Sequence, residues 1–164
     1  MFQKLLKTDF PPKAKPLMVY DGNCGFCIYW IVKWKKITKD TVEYAAYQKV
    51  EEQFLDIDTI HFREAVRYIE LDGTIISGPD AAFITFSQQG KLRWLHQAYR
   101  KGGFFMRLCD LTYQLMANNR GLMFQISKAL LGSDPNKSKP YWLIYIIAMG
   151  VLIASLIFAW PTNI

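Results

Sequence analysis

The chain has 164 residues and a formal net charge of +6, from 20 Lys and Arg residues against 14 Asp and Glu residues. This length is typical of one domain, and 3 cysteines are too few for a framework of structural disulfides. The basic residues are scattered and do not gather with aromatic side chains into a groove signature. That distribution argues against a nucleic-acid-binding protein.

The first third of the chain predicts two strands joined by a helix. Residues 1–16 form a proline-containing leader without the apolar core of a signal peptide, so we expect no secretory signal. Residues 17–20 (LMVY) predict a short buried strand, and residues 24–37 predict a helix with lysines in its last turns. Residues 42–47 predict a second strand, and residues 51–57 a short helix or an irregular connection.

The middle of the chain predicts a β-hairpin followed by helices. Residues 65–70 and 74–77 are separated by Leu-Asp-Gly, and Asp-Gly between two alternating runs is a strong hairpin signal. Helices are predicted over 81–89, with Asp80 near the first turn, and over 103–118 and 121–131. A right-handed crossover would make the first two strands parallel, with the hairpin antiparallel beside them. This order predicts an α/β domain over residues 17–131, with a thioredoxin-like mixed sheet and flanking helices.

A cysteine pair, Cys24 and Cys27, follows the first strand in C-x-x-C spacing at the predicted start of a helix. A helix N-terminus favours an anion, and the thiolate is the reactive form of cysteine. We therefore predict a reversible dithiol in which Cys24, the more exposed thiol with the lower pKa, attacks and Cys27 resolves. Asp21 has two interpretations: it relays a proton to or from Cys27, or its carboxylate accepts backbone hydrogen bonds and shapes the turn.

Metal binding is the main competing use of such a pair. A zinc site needs four ligands, and the chain has neither a second C-x-x-C pair nor ligand spacing at His61 and His96. We expect no metal within one chain and no cofactor, although a metal shared across a dimer stays open. The third cysteine, Cys109, lies in a stretch whose Phe104, Leu108, Leu111 and Leu115 share a helical face. In such a stretch a cysteine is more often a small core residue than a reactive thiol.

The C-terminal part predicts a membrane anchor. After a polar linker at 132–140, residues 141–160 contain no charge, and a helix of that length spans roughly 30 Å, the thickness of the hydrocarbon core. Aromatic residues stand at both ends of the segment, and every Lys and Arg precedes Pro140. These features predict one C-terminal transmembrane helix and a tail-anchored protein whose remaining domain is on the cytoplasmic side.

The segment Asp21-Gly22-Asn23-Cys24-Gly25-Phe26-Cys27 resembles the D-x-x-C-x-x-C signature of the DCC family of thiol-disulfide oxidoreductases. Three later segments agree with it: the Leu-Asp-Gly hairpin, Ser-Gly-Pro-Asp-Ala at 77–81, and Tyr-x-x-x-Ala-Asn-Asn-Arg at 113–120. The resemblance implies a thioredoxin-like fold and thiol-disulfide exchange. The proline that thioredoxin-type enzymes usually carry before the hairpin is missing from residues 58–64.

Two functions of different classes are compatible with these features. The first is a membrane-anchored thiol-disulfide oxidoreductase that exchanges with a protein or small-thiol partner. The second is a non-catalytic accessory subunit or assembly factor of an integral membrane complex, with its anchor packed against other helices. Small residues such as Ala148, Gly150, Ala154 and Ser155 would permit such packing.

Overall fold

The computed structural model describes residues 1–87, 90, 93–137 and 141–149. The chain divides into two compact units, Met1–Phe124 and Gln125–Ile164. The first unit contains a sheet with flanking helices. In the second unit, the helix that ends at Leu131 and the helical residues 141–149 are described. The predicted division into leader, domain, linker and anchor stays a prediction.

The sheet of the first unit has four strands in the order β2-β1-β3-β4. The strands are β1 (Leu17–Tyr20), β2 (Glu43–Ala46), β3 (Arg67–Ile69) and β4 (Ile75–Ser77). Strands β1 and β2 are parallel, whereas β3 is antiparallel to both β1 and β4. The predicted mixed sheet with flanking helices is therefore confirmed.

Besides the helical residues 141–149, seven α-helices are assigned within the described residues. They are α1 (Gly25–Thr38), α2 (Tyr47–Val50), α3 (Thr59–Glu64), α4 (Pro79–Ser87), α5 (Arg93–Arg100), α6 (Gly103–Asn118) and α7 (Arg120–Leu131), and a 3-10 turn covers Glu51–Gln53. Helices α1, α4, α6 and α7 were predicted within a few residues, but α2, α3 and α5 were not. Helices α2 and α3 have only four and six residues, too few to show an apolar period, and the sequence analysis assigned no element to the eight residues of α5.

Apolar residues cover both faces of the sheet because successive strand residues point to opposite sides. On one face, Leu17 and Val19 pack with Phe54 and Phe62, which follow β2. On the other face, Met18 packs with residues of α1 and α4, among them Ile31, Trp34 and Ala81. The sheet is the middle layer of three. Strand β1 is paired on both sides, so the cysteine pair that follows it lies at the end of a central strand.

The N-terminal leader packs against the edge of the sheet and does not hang free. The carbonyl oxygen of Leu6 accepts a hydrogen bond from Ile75 N–H at 2.9 Å, and Thr8 N–H donates to the Gly73 carbonyl at 2.9 Å. Gly73 has a φ of 85°, and a Cβ there would lie 2.4 Å from the Thr8 carbonyl oxygen. The chain therefore needs glycine at this turn both for its conformation and for the close approach of the leader.

Helix α6 buries a polar side chain and leaves its apolar face exposed. The shared face of Phe104, Leu108, Leu111 and Leu115 points outward, and all four side chains are exposed. Asp110 is buried instead, because its carboxylate accepts hydrogen bonds from Tyr99 Oη and Lys4 Nζ, both at 2.6 Å. Cys109 is half-buried, so it is not among the fully buried core residues, and its structural role stays a prediction.

No helix within the described residues is both long and apolar enough to cross a bilayer. Of the predicted transmembrane segment 141–160, residues 141–149 are helical, and residues 150–160 lie outside the described residues.

Candidate functional site

The cysteine pair lies at the end of the loop that connects β1 to α1 and in the first turn of α1. Cys24 is the N-cap residue of α1, and its Sγ accepts a hydrogen bond from the backbone N–H of Cys27 at 3.1 Å. A sulfur in this position satisfies one of the unpaired donors of the first helical turn, which favours the charged thiolate. Both cysteines are free, so the structure shows the reduced dithiol.

The dithiol is less accessible than predicted. Cys24 is only 8% exposed, whereas Cys27 is half-buried, so the expectation that Cys24 is the more exposed thiol is wrong. The start of α7 packs closely over the start of α1. A Cβ on Gly25 would lie 3.2 Å from the Phe124 ring, and the Phe124 and Tyr29 rings meet edge to face at 6.0 Å between centroids. Gly25 allows this cover because it has no side chain.

The environment separates the pKa values of the two thiols. The hydrogen bond from the Cys27 thiol is the largest cause that lowers the pKa of Cys24, from 9.0 to about 6. The Cys27 backbone N–H and the positive charge of Arg120 act in the same direction, against the opposing effects of burial and of the Asp21 charge. The same thiol–thiolate bond, followed by burial, raises the pKa of Cys27. At neutral pH, Cys24 is therefore the thiolate and Cys27 the thiol.

Asp21 is held by donors from three parts of the chain. Its Oδ1 accepts hydrogen bonds from Asn23 N–H and from Gln48 Nε2, both at 3.0 Å, and its Oδ2 accepts one from Arg120 Nη1 at 3.2 Å. Its carbonyl oxygen also accepts a bond from Cys24 N–H at 3.3 Å. These contacts match the interpretation in which Asp21 shapes the turn before the dithiol, since the carboxylate is occupied by donors that fix the loop.

Arg120 is a site residue to which the sequence analysis assigned no role. Besides Asp21, its guanidinium donates hydrogen bonds to the backbone carbonyls of Arg63 and Glu64, at the end of α3. It thereby joins α7, α3 and the loop after β1 beside the two sulfurs. The one signal was its place at the end of the Tyr-x-x-x-Ala-Asn-Asn-Arg segment, because no spacing rule connects this arginine with an aspartate 99 residues earlier. Gln48 was missed as well, although a signal for it existed: it follows β2, and the carboxyl ends of parallel strands meet at one edge.

The backbone just before β3 is capped by a side chain from α6. Tyr113 Oη accepts a hydrogen bond from Val66 N–H at 3.0 Å, and burial raises the pKa of Tyr113 to about 12. The hydroxyl is therefore neutral at any physiological pH. The Tyr113 hydroxyl accepts the hydrogen bond of Val66 N–H, just after residues 58–64, where the proline usual in thioredoxin-type enzymes is missing. No cis peptide bond occurs among the described residues.

A polar cleft of about 380 Å³ opens beside Asp21 and Arg120. Side chains of α3 and α6 complete its lining: Ile60, Arg63, Glu64, Gln114, Ala117 and Asn118. The cleft is large enough for several residues of a peptide or a small thiol compound, and its lining offers both charged and amide groups.

The remaining candidate ligands are engaged in other contacts. His96 Nδ1 lies 2.9 Å from Asp80 Oδ1, and His61 Nδ1 lies 3.5 Å from Glu64 Oε2. Among the described residues, no group of three or more His, Cys, Asp or Glu side chains is placed to hold a metal ion.

Comparison with known proteins agrees with this geometry. The family model of the DCC1-like thiol-disulfide oxidoreductases matches residues 18–126, which run from β1 into α7 and include the dithiol, Asp21 and Arg120. Neither the curated proteins nor the solved structures contain a significant match. Because the family model covers well over half of the sequence, the chain belongs to the DCC1-like thiol-disulfide oxidoreductase family.

Proposed function

We propose that the chain is a membrane-anchored thiol-disulfide oxidoreductase in which Cys24 attacks and Cys27 resolves. The observation that carries this proposal is the hydrogen-bonded dithiol at the N-terminus of α1, with Cys27 N–H 3.1 Å from Cys24 Sγ. This arrangement stabilises a thiolate on one cysteine and keeps a proton on the other. The family to which the chain belongs supports the same chemistry.

The exchange takes place in two balanced steps. In the first, the Cys24 thiolate attacks one sulfur of a substrate disulfide, a mixed disulfide forms, and the other substrate sulfur leaves as a thiolate that takes a proton. In the second, Cys27 loses its proton and attacks Cys24 Sγ, which releases the remaining substrate thiol and closes the Cys24–Cys27 disulfide. The substrate gains two electrons and the protein loses two. A dithiol reductant, or two equivalents of a monothiol, restores the starting state.

The contacts of the dithiol explain why the second step follows the first. The bond to the Cys24 thiolate is the largest cause of the raised pKa of Cys27. Once Cys24 is part of a mixed disulfide, its negative charge is gone and this cause disappears. The positive charge of Arg120 still favours the Cys27 thiolate. Cys27 thus becomes a nucleophile only when there is an intermediate to resolve.

The proposed location rests on sequence. Residues 141–160 act as the anchor, and the basic residues that precede Pro140 keep the dithiol domain on the cytoplasmic side. In that reducing compartment the dithiol rests reduced and works as a reductase or isomerase. Resistance of the full chain to carbonate extraction, together with accessibility of Lys137 to a cytoplasmic protease, checks the anchor and its orientation.

The exchange itself is tested with single-cysteine variants of the full chain. With hydroxyethyl disulfide as the probe, Cys27→Ser should accumulate a mixed disulfide on Cys24, whereas Cys24→Ser should form none. Cys109→Ser is the matched control and should keep full turnover, because Cys109 lies outside the dithiol site. If Cys24→Ser turns over the probe as fast as the unaltered chain, the exchange mechanism is wrong, and an accessory-subunit role takes its place.

A further inference from the structure

Helix α6 carries an apolar stripe that nothing in the described fold covers. Phe104, Leu108, Leu111 and Leu115 are 82%, 47%, 58% and 65% exposed. Their spacing of four, three and four residues places all four on one side of the helix, one above another. Apolar residues exposed singly are ordinary, but four in one continuous stripe mark an interaction surface.

The stripe cannot turn inward, because two contacts on the opposite side of α6 fix the rotation of the helix. Asp110 is 1% exposed and is bound by Tyr99 and Lys4, and Tyr113 Oη is bonded to the backbone of Val66. Rotating the helix to bury its leucines would leave the carboxylate of Asp110 without partners. The outward position of the stripe is therefore a built feature of the fold.

The chain around the stripe is basic. Residues 93–124 contain five Lys and Arg residues, of which Arg100 and Arg120 are paired with acids of other segments. The one acidic residue of this range, Asp110, is buried beneath the stripe. Lys101 and Arg107 are both exposed, Lys101 just before α6 and Arg107 within it. An apolar helical face with exposed cations and no exposed acid within its own segment is complementary to an anionic lipid leaflet, which offers acyl chains and negative headgroups together.

We propose that the α6 stripe lies in the interfacial region of an anionic bilayer, with its leucines at the headgroup–acyl boundary and Arg107 among the headgroups. This contact does not depend on the dithiol chemistry and is distinct from the anchor proposed at 141–160. It also has a consequence for the site. Because Gln114, Ala117 and Asn118 of α6 line the polar cleft, a helix held flat on the membrane sets the direction in which the cleft opens.

The test measures the depth of α6 in nanodiscs that each hold a single full-length chain. A background of Cys24→Ser, Cys27→Ser and Cys109→Ser accepts one environment-sensitive fluorophore, placed by Leu111→Cys on the stripe or by Glu52→Cys at an exposed control position. In discs of phosphatidylcholine with phosphatidylserine, we expect the label at 111 to emit at shorter wavelength and to be quenched by brominated acyl chains. The label at 52 should show neither change.

A charge reversal adds a second readout. Arg107→Glu should lower the ratio of inserted to withdrawn α6 in anionic discs by at least about fivefold, because each basic residue near an anionic surface contributes about that factor. A label at 111 that stays in water in anionic discs overturns the proposal, even if the anchor is intact by carbonate extraction. A blue shift that needs two chains per disc also overturns it, since the stripe then faces a second copy or another protein.

Discussion

Arg120 Nη1 lies 3.2 Å from Asp21 Oδ2, and this ion pair joins the start of α7 to the loop that precedes the dithiol. The pair brings two opposite charges next to the same two sulfurs: Arg120 lowers the pKa of Cys24, whereas Asp21 raises it. The arginine also binds the last carbonyls of α3. One side chain therefore holds the turn in place and biases the chemistry of the thiols.

Arg120→Met should weaken both effects. Without the guanidinium, the pKa of Cys24 should rise above its value of about 6 in the unaltered chain. At a pH below about 6, alkylation of Cys24 by iodoacetamide should therefore slow by about threefold. The loss of donors for Asp21 and the α3 carbonyls should lower the free energy of unfolding by about 2 kcal/mol. Arg63→Met is the control, because the Arg63 side chain is exposed. An unchanged alkylation profile in Arg120→Met would show that the arginine is structural only.

The pH dependence of stability should report the Cys24 thiolate. Its pKa is lowered in the folded chain, from 9.0 to about 6, so the unfolded state binds more protons between these two values. The Cys24 thiolate therefore contributes nothing to the unfolding free energy below about pH 6. Its contribution grows between pH 6 and pH 9 and is complete above pH 9. We expect the unfolding free energy of the reduced chain to rise by up to about 4 kcal/mol across this pH window, as measured by urea unfolding.

Two comparisons separate this effect from other titrations. Cys24→Ser should lose the pH-dependent gain, so the difference between the two unfolding curves isolates the thiolate. Cys109, whose pKa is raised by burial, should stay unreactive toward iodoacetamide at neutral pH while Cys24 is alkylated. Equal rates at the two cysteines would mean that the helix start does not stabilise a thiolate.

Local patterns were enough to predict the sheet and the position of the dithiol. Alternation and the Asp-Gly turn act within a few residues, and the crossover rule then orders the strands. Periodicity correctly placed Phe104, Leu108, Leu111 and Leu115 on one side of α6, but it does not tell whether that side faces the core. Which side of α6 faces inward depends on Asp110, whose partners Lys4 and Tyr99 come from other segments of the chain. The role of Arg120 was missed for the same reason.

Gly22 should be intolerant of any side chain. A Cβ there would lie 2.7 Å from Ala46 Cβ and 2.9 Å from Gln48 Oε1, so the loop and the end of β2 would have to separate. We expect Gly22→Ala to lower the free energy of unfolding by about 1–3 kcal/mol and to loosen the Gln48–Asp21 hydrogen bond. Gly121→Ala is a matched control, since no atom lies within 4 Å of its added Cβ. It should be neutral or stabilise the chain by up to about 0.5 kcal/mol. Equal losses in the two variants would exclude the steric explanation.

Arg67 in β3 is a buried side chain that binds the backbone of the leader at Gln3. The side chain is 0% exposed, and its guanidinium donates to the carbonyls of His61 and Gln3 and to Ser77 Oγ at distances of 2.6–3.0 Å. Arg67→Met keeps much of the volume but removes all four of these hydrogen bonds, including the buried one to Ser77 Oγ. We expect a loss of about 3 kcal/mol in urea unfolding, with faster tryptic cleavage at Lys4.

The cleavage site distinguishes this mechanism from general destabilisation. If Arg67 holds the leader through Gln3, cleavage at Lys4 should accelerate more than cleavage within the helices, because the leader is released first. Gly22→Ala, which acts where the loop after β1 meets Ala46 and Gln48, should not favour cleavage at Lys4 at a matched loss of stability. Uniform acceleration at all tryptic sites in Arg67→Met would show that the leader unfolds only with the whole domain.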